Sequence, residues 1–302
     1  MWSEMRSALF ILIATLVLQG CTQSENSQPA TQETAEAAPV KYGNNPAAGH
    51  TFNHDGIDFY YEVYGEGEPL LLIHADGLSI GSFAAQIDHF RDHYQVIAMD
   101  SRSQGKSGDG PEKITYEIMT DDLDALLDHL GTGPVNVLGW SDGGIEGLLL
   151  GIRHPEKVAK LAVMAANLNP AGLRPEALDM IHDMLQTAEA SDAPQSKRDA
   201  KLAQMMLDEP NIQPEALEAI TVPTLVMASD HDVIKDEHTL EIYHHLPNGE
   251  LCIFPNATHA IAYDDPVLFN STVERFLETP YIKKDRIEDL VKSFDKIAAE
   301  QQ

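Results

Sequence analysis

By hydrophobic pattern the chain divides into a polar beginning, a long body of alternating elements and an amphipathic end. Between residues 51 and 64 apolar and polar positions alternate, with Ile57, Phe59 and Tyr61 on one face and Asp55-Gly56 between the two runs. That pattern predicts two short strands around a turn. From residue 70 the period changes: short continuous apolar runs recur at 70–73, 96–99, 135–138, 161–165, 224–228 and 251–254, separated by helical segments. Runs without alternation suit strands buried on both faces, as in a parallel sheet covered by its crossover helices. One such helix places Leu123, Leu126, Leu127 and Leu130 on a single face and stops at Gly131. The predicted class is α/β, antiparallel at the start and with a mostly parallel central sheet flanked by helices.

Between residues 167 and 220 the strand pattern lapses, and two amphipathic helices replace it: one carries Leu178, Ile181, Met184 and Leu185, the other lies around 201–207. This segment predicts a small helical cap inserted into the body. Its Met180, Met184, Met205 and Met206 either line an adaptable apolar pocket or fasten the cap to the body. Beyond a helix expected over 266–277, Ile287, Leu290, Val291, Phe294 and Ile297 recur at helical spacing. Residues 281–302 therefore predict a C-terminal amphipathic helix that packs on the body or on a partner chain.

The first residues fit an export signal: Arg6 is followed by an apolar run over 8–18 that is too short to span a bilayer. The stretch 22–49 is rich in Ser, Thr, Gln, Glu, Ala and Pro, a composition that buries little and stays extended. Leu18-Gln19-Gly20-Cys21 resembles the lipobox of bacterial lipoproteins. The resemblance implies cleavage before Cys21 and acylation of that cysteine, where each buried acyl methylene contributes about 0.8 kcal/mol of anchoring. The expected organisation is a signal peptide over 1–20, a flexible tether over 21–49, a catalytic body over 50–280 and the terminal helix. The expected location is the bacterial cell envelope, with the membrane as partner through lipid on Cys21.

Charge narrows the partners further. Lys and Arg total 20 against 48 Asp and Glu, a formal net charge of −28. Such a chain repels the phosphate backbone that nucleic-acid binding must neutralise, and it gains nothing from anionic lipid headgroups. Membrane contact must then be hydrophobic. Of the two cysteines, Cys252 lies in the strand-like run 250–254 and reads as a small buried hydrophobe, which leaves neither a disulfide nor a cysteine-based zinc site.

The candidate chemistry starts at Gly139-Trp140-Ser141-Asp142-Gly143, a G-x-S-x-G pattern with a strand run before it and a helix-compatible run over 144–152 after it. A sharp strand-to-helix turn of this kind lifts the serine oxygen clear of its own backbone, and glycines are needed where side chains would collide across the turn. A serine hydroxyl needs a base. His259 follows the last strand run, at the end of the sheet where Ser141 emerges. Asp232, in Ser229-Asp230-His231-Asp232, follows the preceding strand and is placed to orient that imidazole. Asp230, two residues earlier, is expected to cap or solvate the turn.

These residues, in the order Ser, Asp, His, resemble the α/β-hydrolase superfamily, especially its enol-lactonase and haloperoxidase-like esterase branch, over residues 60–277. Pro223-Thr224-Leu225-Val226, Asp265-Pro266 with Phe269 and Phe276, and the D-x-R-x-x-G-x-S loop at 100–107 are similar to the family's pattern. The resemblance implies Ser141 as nucleophile, His259 as base and Asp232 as its orienting acid, with the backbone N–H groups of Asp76 and Asp142 as the oxyanion hole. It implies hydrolysis of a small-molecule carboxylic ester, thioester or lactone through an acyl-enzyme, with no metal or organic cofactor. C–C bond hydrolysis and perhydrolysis use the same triad, and a binding module on a hydrolase fold is the non-enzymatic alternative. One departure stands out: Ala75 occupies a position where the family usually has glycine, a strained choice if positive φ is required there. The side chains of Asp76 and Asp142 are expected to point away from the oxyanion, with His74 bonding within the loop.

Overall fold

The computed structural model describes residues 40–111 and 113–301. Its eight strands form one sheet in the order β1-β2-β4-β3-β5-β6-β7-β8. They are β1 (Gly49–His54), β2 (Ile57–Tyr64), β3 (Glu68–Ile73), β4 (Tyr94–Met99), β5 (Val135–Trp140), β6 (Val158–Met164), β7 (Thr224–His231) and β8 (Gly249–Thr258). The pairs β1/β2 and β2/β4 are antiparallel, and every later pair is parallel. The change of period at residue 70 thus marks the change of pairing.

Continuous apolar runs in β3 to β7 arise because both faces of the sheet are covered there, whereas the run in edge strand β8 leaves Leu251 and Ile253 exposed on one face. Leu71 and Ile73 of β3 face one core cluster, which also holds Leu123, Leu126 and Leu127 of α2 (Tyr116–Leu130) and Leu148 of α3 (Asp142–Arg153). Leu70 and Leu72 face the other, with Ile87 of the short α1 (Ala84–Phe90) and with Phe269, Val273 and Phe276 of the helix Pro266–Glu278. Helix α2 ends on Gly131 at φ 65, a left-handed cap that glycine adopts without steric cost.

The cap consists of helices Pro175–Glu189 and Pro194–Asp208, followed by a 3-10 turn at Pro214–Ala219, all between β6 and β7. Its methionines divide. Met205 is fully buried and Met206 packs on the core, fastening the cap to the body, whereas Met180 and Met184 face solvent.

The structure departs from the expected boundaries at both ends. The tether predicted to run to residue 49 is bound to the body from Tyr42 onward. Buried Glu62 accepts hydrogen bonds from the amides of Gly43 (2.7 Å) and Asn45 (2.9 Å) and from the hydroxyls of Tyr60 and Tyr64, while the Tyr42 hydroxyl donates to Asp88. A polar composition had hidden one buried carboxylate able to order several donors at once. At the other end the helix starts at Glu288 and not near 281; its apolar positions, Phe294 at 61% and Ile287 just before it at 70% among them, are exposed, and none of its residues is buried. It does not pack on the body. The signal peptide, Cys21 and the rest of the tether lie outside the described residues. Among the described residues, no helix is long and apolar enough to cross a membrane.

Candidate active site

Strand β5 runs into α3 through Ser141, whose φ of 56° and ψ of −116° lie outside the ordinary regions for a residue with a side chain. The turn is possible because of its two glycines. A Cβ on Gly139 would sit 2.0 Å from the Gly143 carbonyl, and one on Gly143 would sit 2.0 Å from the Ile73 carbonyl at the end of β3. The same close approach presses the start of α3 against the loop that carries Asp76. The Ser141 amide donates to the Met164 carbonyl at 2.7 Å, which fixes the turn to β6.

His259 stands just beyond β8, with its side chain 26% exposed, and its Nε2 is 3.0 Å from the Ser141 Oγ. Its Nδ1 lies 2.7 Å from Oδ1 of Asp232, whose side chain is 1% exposed. The carboxylate can only accept, so Nδ1 carries the proton toward Asp232, and Nε2 is left to accept from the serine hydroxyl. Asp232 is itself held by the amides of Ser229 (3.3 Å) and Ile234 (3.2 Å). The three predicted residues, separated by up to 118 positions in the chain, thus form one hydrogen-bonded line across the ends of β5, β7 and β8.

Asp230 does different work from Asp232. It accepts from the amides of Asn256 (2.8 Å) and Ala257 (3.1 Å) and lies 2.8 Å from Nδ1 of His231, so it ties the end of β7 to the loop that leads into His259. The Asn256 bond first, then that of His231, hold its carboxyl down at about 2. Trp140 was not singled out by its sequence position. Its Nε1 donates to the His259 carbonyl at 2.9 Å, fixing the backbone of the imidazole from inside the G-x-S-x-G motif.

The loop after β3 resolves the question posed by Ala75. That residue is buried and is not among the positive-φ positions; Gly77, at φ 68, takes the left-handed conformation instead. His74 bonds within the loop region as expected: Nε2 accepts from the Ser101 amide (2.9 Å), Nδ1 donates to the Ala75 carbonyl (2.8 Å), and burial lowers its pKa. The D-x-R-x-x-G-x-S loop packs beside it. Asp100 accepts from the amides of Ile80 and Lys106, a Cβ on Gly105 would lie 2.2 Å from the Asp100 carboxylate, and Arg102 forms a buried pair with Asp122 at 2.7 and 2.8 Å.

The carboxyls of Asp76 and Asp142 form, with Glu146, a buried acidic group that sequence reasoning missed. Oδ1 of Asp76, Oδ2 of Asp142 and both carboxyl oxygens of Glu146 are buried without a hydrogen-bond partner among the described residues. Burial pushes the Asp76 carboxyl up to about 6. Burial, then the neighbouring acids, raise Asp142 and Glu146 well above the carboxylate range. Burial thus favours the protonated form of each, which carries no negative charge beside Ser141. Among the described residues, no group of three or more His, Cys, Asp or Glu side chains is arranged to hold a metal.

A mostly parallel α/β sheet with a serine on a strand-to-helix elbow, and a histidine and an acid after later strands, is the structural context that the G-x-S-x-G motif requires. Residues 68–201 match the family model for the alpha/beta hydrolase fold. A 116-residue segment is 36% identical to the proposed carbamate hydrolase RutD of Azorhizobium caulinodans, covering 37% of this chain and 43% of that protein. Over 260 residues the chain is 26% identical to 3-oxoadipate enol-lactonase 2 of Acinetobacter baylyi, covering 76% of this chain and 96% of that one. The crystal structure of MGS-M2, an alpha/beta hydrolase enzyme from a deep-sea metagenome library, superposes with a TM-score of 0.71 at 21% identity, over 78% of this chain and all of that one. The likeness shows that the chain has the α/β-hydrolase fold, with the family model matching less than half of its length. The match to RutD spans less than half of that relative's length.

Proposed function

We propose that the protein is a serine hydrolase that cleaves a carboxylic ester, thioester or lactone through an acyl-enzyme. The observation that carries this reading is the line Asp232–His259–Ser141, with bonds of 2.7 and 3.0 Å. Ser141 Oγ attacks the carbonyl while its proton passes to His259 Nε2, and the buried Asp232 carboxylate stabilises the imidazolium that results. The backbone amides of Asp76 and Asp142 receive the oxyanion. Asp142 is the first residue of α3, where helix N–H groups have no intrahelical acceptor. His259 then protonates the leaving group, water enters by the reverse path, and the acid departs. Lactone hydrolysis is what the name of the Acinetobacter relative states, and its chemistry is that of an ester. Purified protein should turn over short p-nitrophenyl esters, and Ser141→Ala should abolish that turnover while leaving the thermal unfolding profile intact. Undiminished turnover in the variant overturns the assignment.

The leader supports a second proposal about place and partner: the protein is exported and held at the membrane by lipid on Cys21. This rests on the lipobox-like sequence and the polar stretch that follows it. With a net charge of −28, such an anchor works through its acyl chains.

A further inference from the structure

A cavity of about 550 Å³ opens beside the triad, within the size range of small-molecule sites. Trp140 and Ala260, the chain neighbours of Ser141 and His259, form part of its wall, and Leu78, Ser79, Ser82 and Tyr263 form much of the rest. None of the side chains lining it carries a charge. Of the two serines, Ser82 is committed to the Ser79 carbonyl at 2.8 Å. At the mouth, Leu78 and Tyr263 are 38% and 73% exposed, so an apolar rim meets the incoming molecule.

Cations close to this wall in the chain are engaged elsewhere. Lys106, next to Gly105 of the lining, donates to Asn44 and lies over the Tyr60 ring. Arg102 is locked to Asp122, and Lys201 of the cap to Asp109. Apart from the triad's His259, the ionisable residues next in the chain to Ser141 and to Gly77 of the lining are acids, Asp142 and Asp76, and Arg174, which donates to the Asp232 carbonyl, is paired with Asp236. A carboxylate entering here would shed its water without meeting a counter-charge, beside acids that burial already holds toward their neutral form.

We infer, resting on the acyl-enzyme reading above, that this site selects uncharged esters with an apolar non-reacting part and discriminates against esters that carry a carboxylate. The test compares p-nitrophenyl hexanoate with the p-nitrophenyl monoester of adipate, whose acyl chain has the same length but ends in a carboxylate too distant to close readily on the ester, on the purified full chain at pH 7.5. The hexanoate ester should have the higher kcat/KM by about a hundredfold, since an unpaired charge in a partly dry site is costly. Leu78→Arg, which brings a guanidinium to the exposed rim, should raise the adipate-to-hexanoate ratio by about tenfold. Comparable kcat/KM values for the two esters, or a ratio unmoved by Leu78→Arg, would overturn the inference. If a fluorophosphonate labels Ser141 and the adipate monoester is preferred, the substrate inference alone fails. Absence of both labelling and turnover would instead sink the acyl-enzyme reading, and this inference with it.

Discussion

Asp232 and Asp230 are two residues apart, and the structure gives them separable roles that substitution can distinguish. In Asp232→Asn the replacement amide cannot accept at both of its polar atoms. Asp232 accepts at Oδ1 from His259 and Ile234 and at Oδ2 from Ser229, so the new NH2 must oppose an N–H on one side or the other. Whichever way it turns, the negative charge that stabilises the imidazolium is gone. For triads of this kind the loss in kcat is about 10³ to 10⁴, which corresponds to about 4 to 5 kcal/mol of barrier. Asp230→Asn removes a charge from an exposed carboxyl that caps the 256–257 amides, so its effect falls on the stability of that loop. Its thermal midpoint should drop and its kcat should stay within about tenfold of the parent. The native carboxyl sits near 2, below its ordinary 3.8, so its stabilisation is present above about pH 4 and disappears as the pH falls toward 2. Both variants should be purified together and compared for p-nitrophenyl butyrate turnover and thermal unfolding. Normal turnover in Asp232→Asn with collapse in Asp230→Asn would refute the reasoning.

Glu146 has a folded-state pKa well above its ordinary 4.5, so its contribution to stability is complete below that value and is lost as pH rises toward the folded value. Glu146→Gln should therefore melt higher than the parent at pH 8, with the difference shrinking toward pH 5 in a thermal-shift series; a constant difference would contradict the assignment. Trp140→Phe removes the donor to the His259 carbonyl, a bond worth about 0.5 to 1.5 kcal/mol, and should lower kcat by up to about tenfold with little change in KM. Unchanged kcat would remove Trp140 from the positioning of His259. Cys21→Ser should abolish acylation and leave ester turnover intact, as read by intact mass of the membrane-extracted protein and by activity. A parent protein with no acyl mass on Cys21 would end the lipoprotein proposal.

The strands and the order of the triad residues were legible because both follow from local pattern: unalternating apolar runs for a two-faced sheet, and polar residues placed just after them. The packing of 42–45 was not, because it depends on Glu62, a charged residue inside a strand that ordinarily predicts exposure and here is fully buried. The same limit hid the Asp76, Asp142 and Glu146 group. Glu146 sits one turn beyond Ser141 on α3, and nothing in a glutamate's sequence context says that both its oxygens are buried. Ala75 posed the reverse problem, since strain inferred from a missing glycine vanishes when Gly77, two residues on, takes the left-handed turn. The terminal helix was legible as amphipathic, but what its apolar face meets depends on partners that a periodicity cannot name.

The central claim is that Ser141 is the residue that becomes covalently attached to substrate. It is tested most directly by reacting the protein with a fluorophosphonate, digesting it and mapping the adduct by mass spectrometry. A single adduct on Ser141 is predicted, absent from Ser141→Ala and formed far more slowly in His259→Ala, because the hydroxyl then lacks its base. An adduct at another residue, or labelling that persists in Ser141→Ala, would contradict the account.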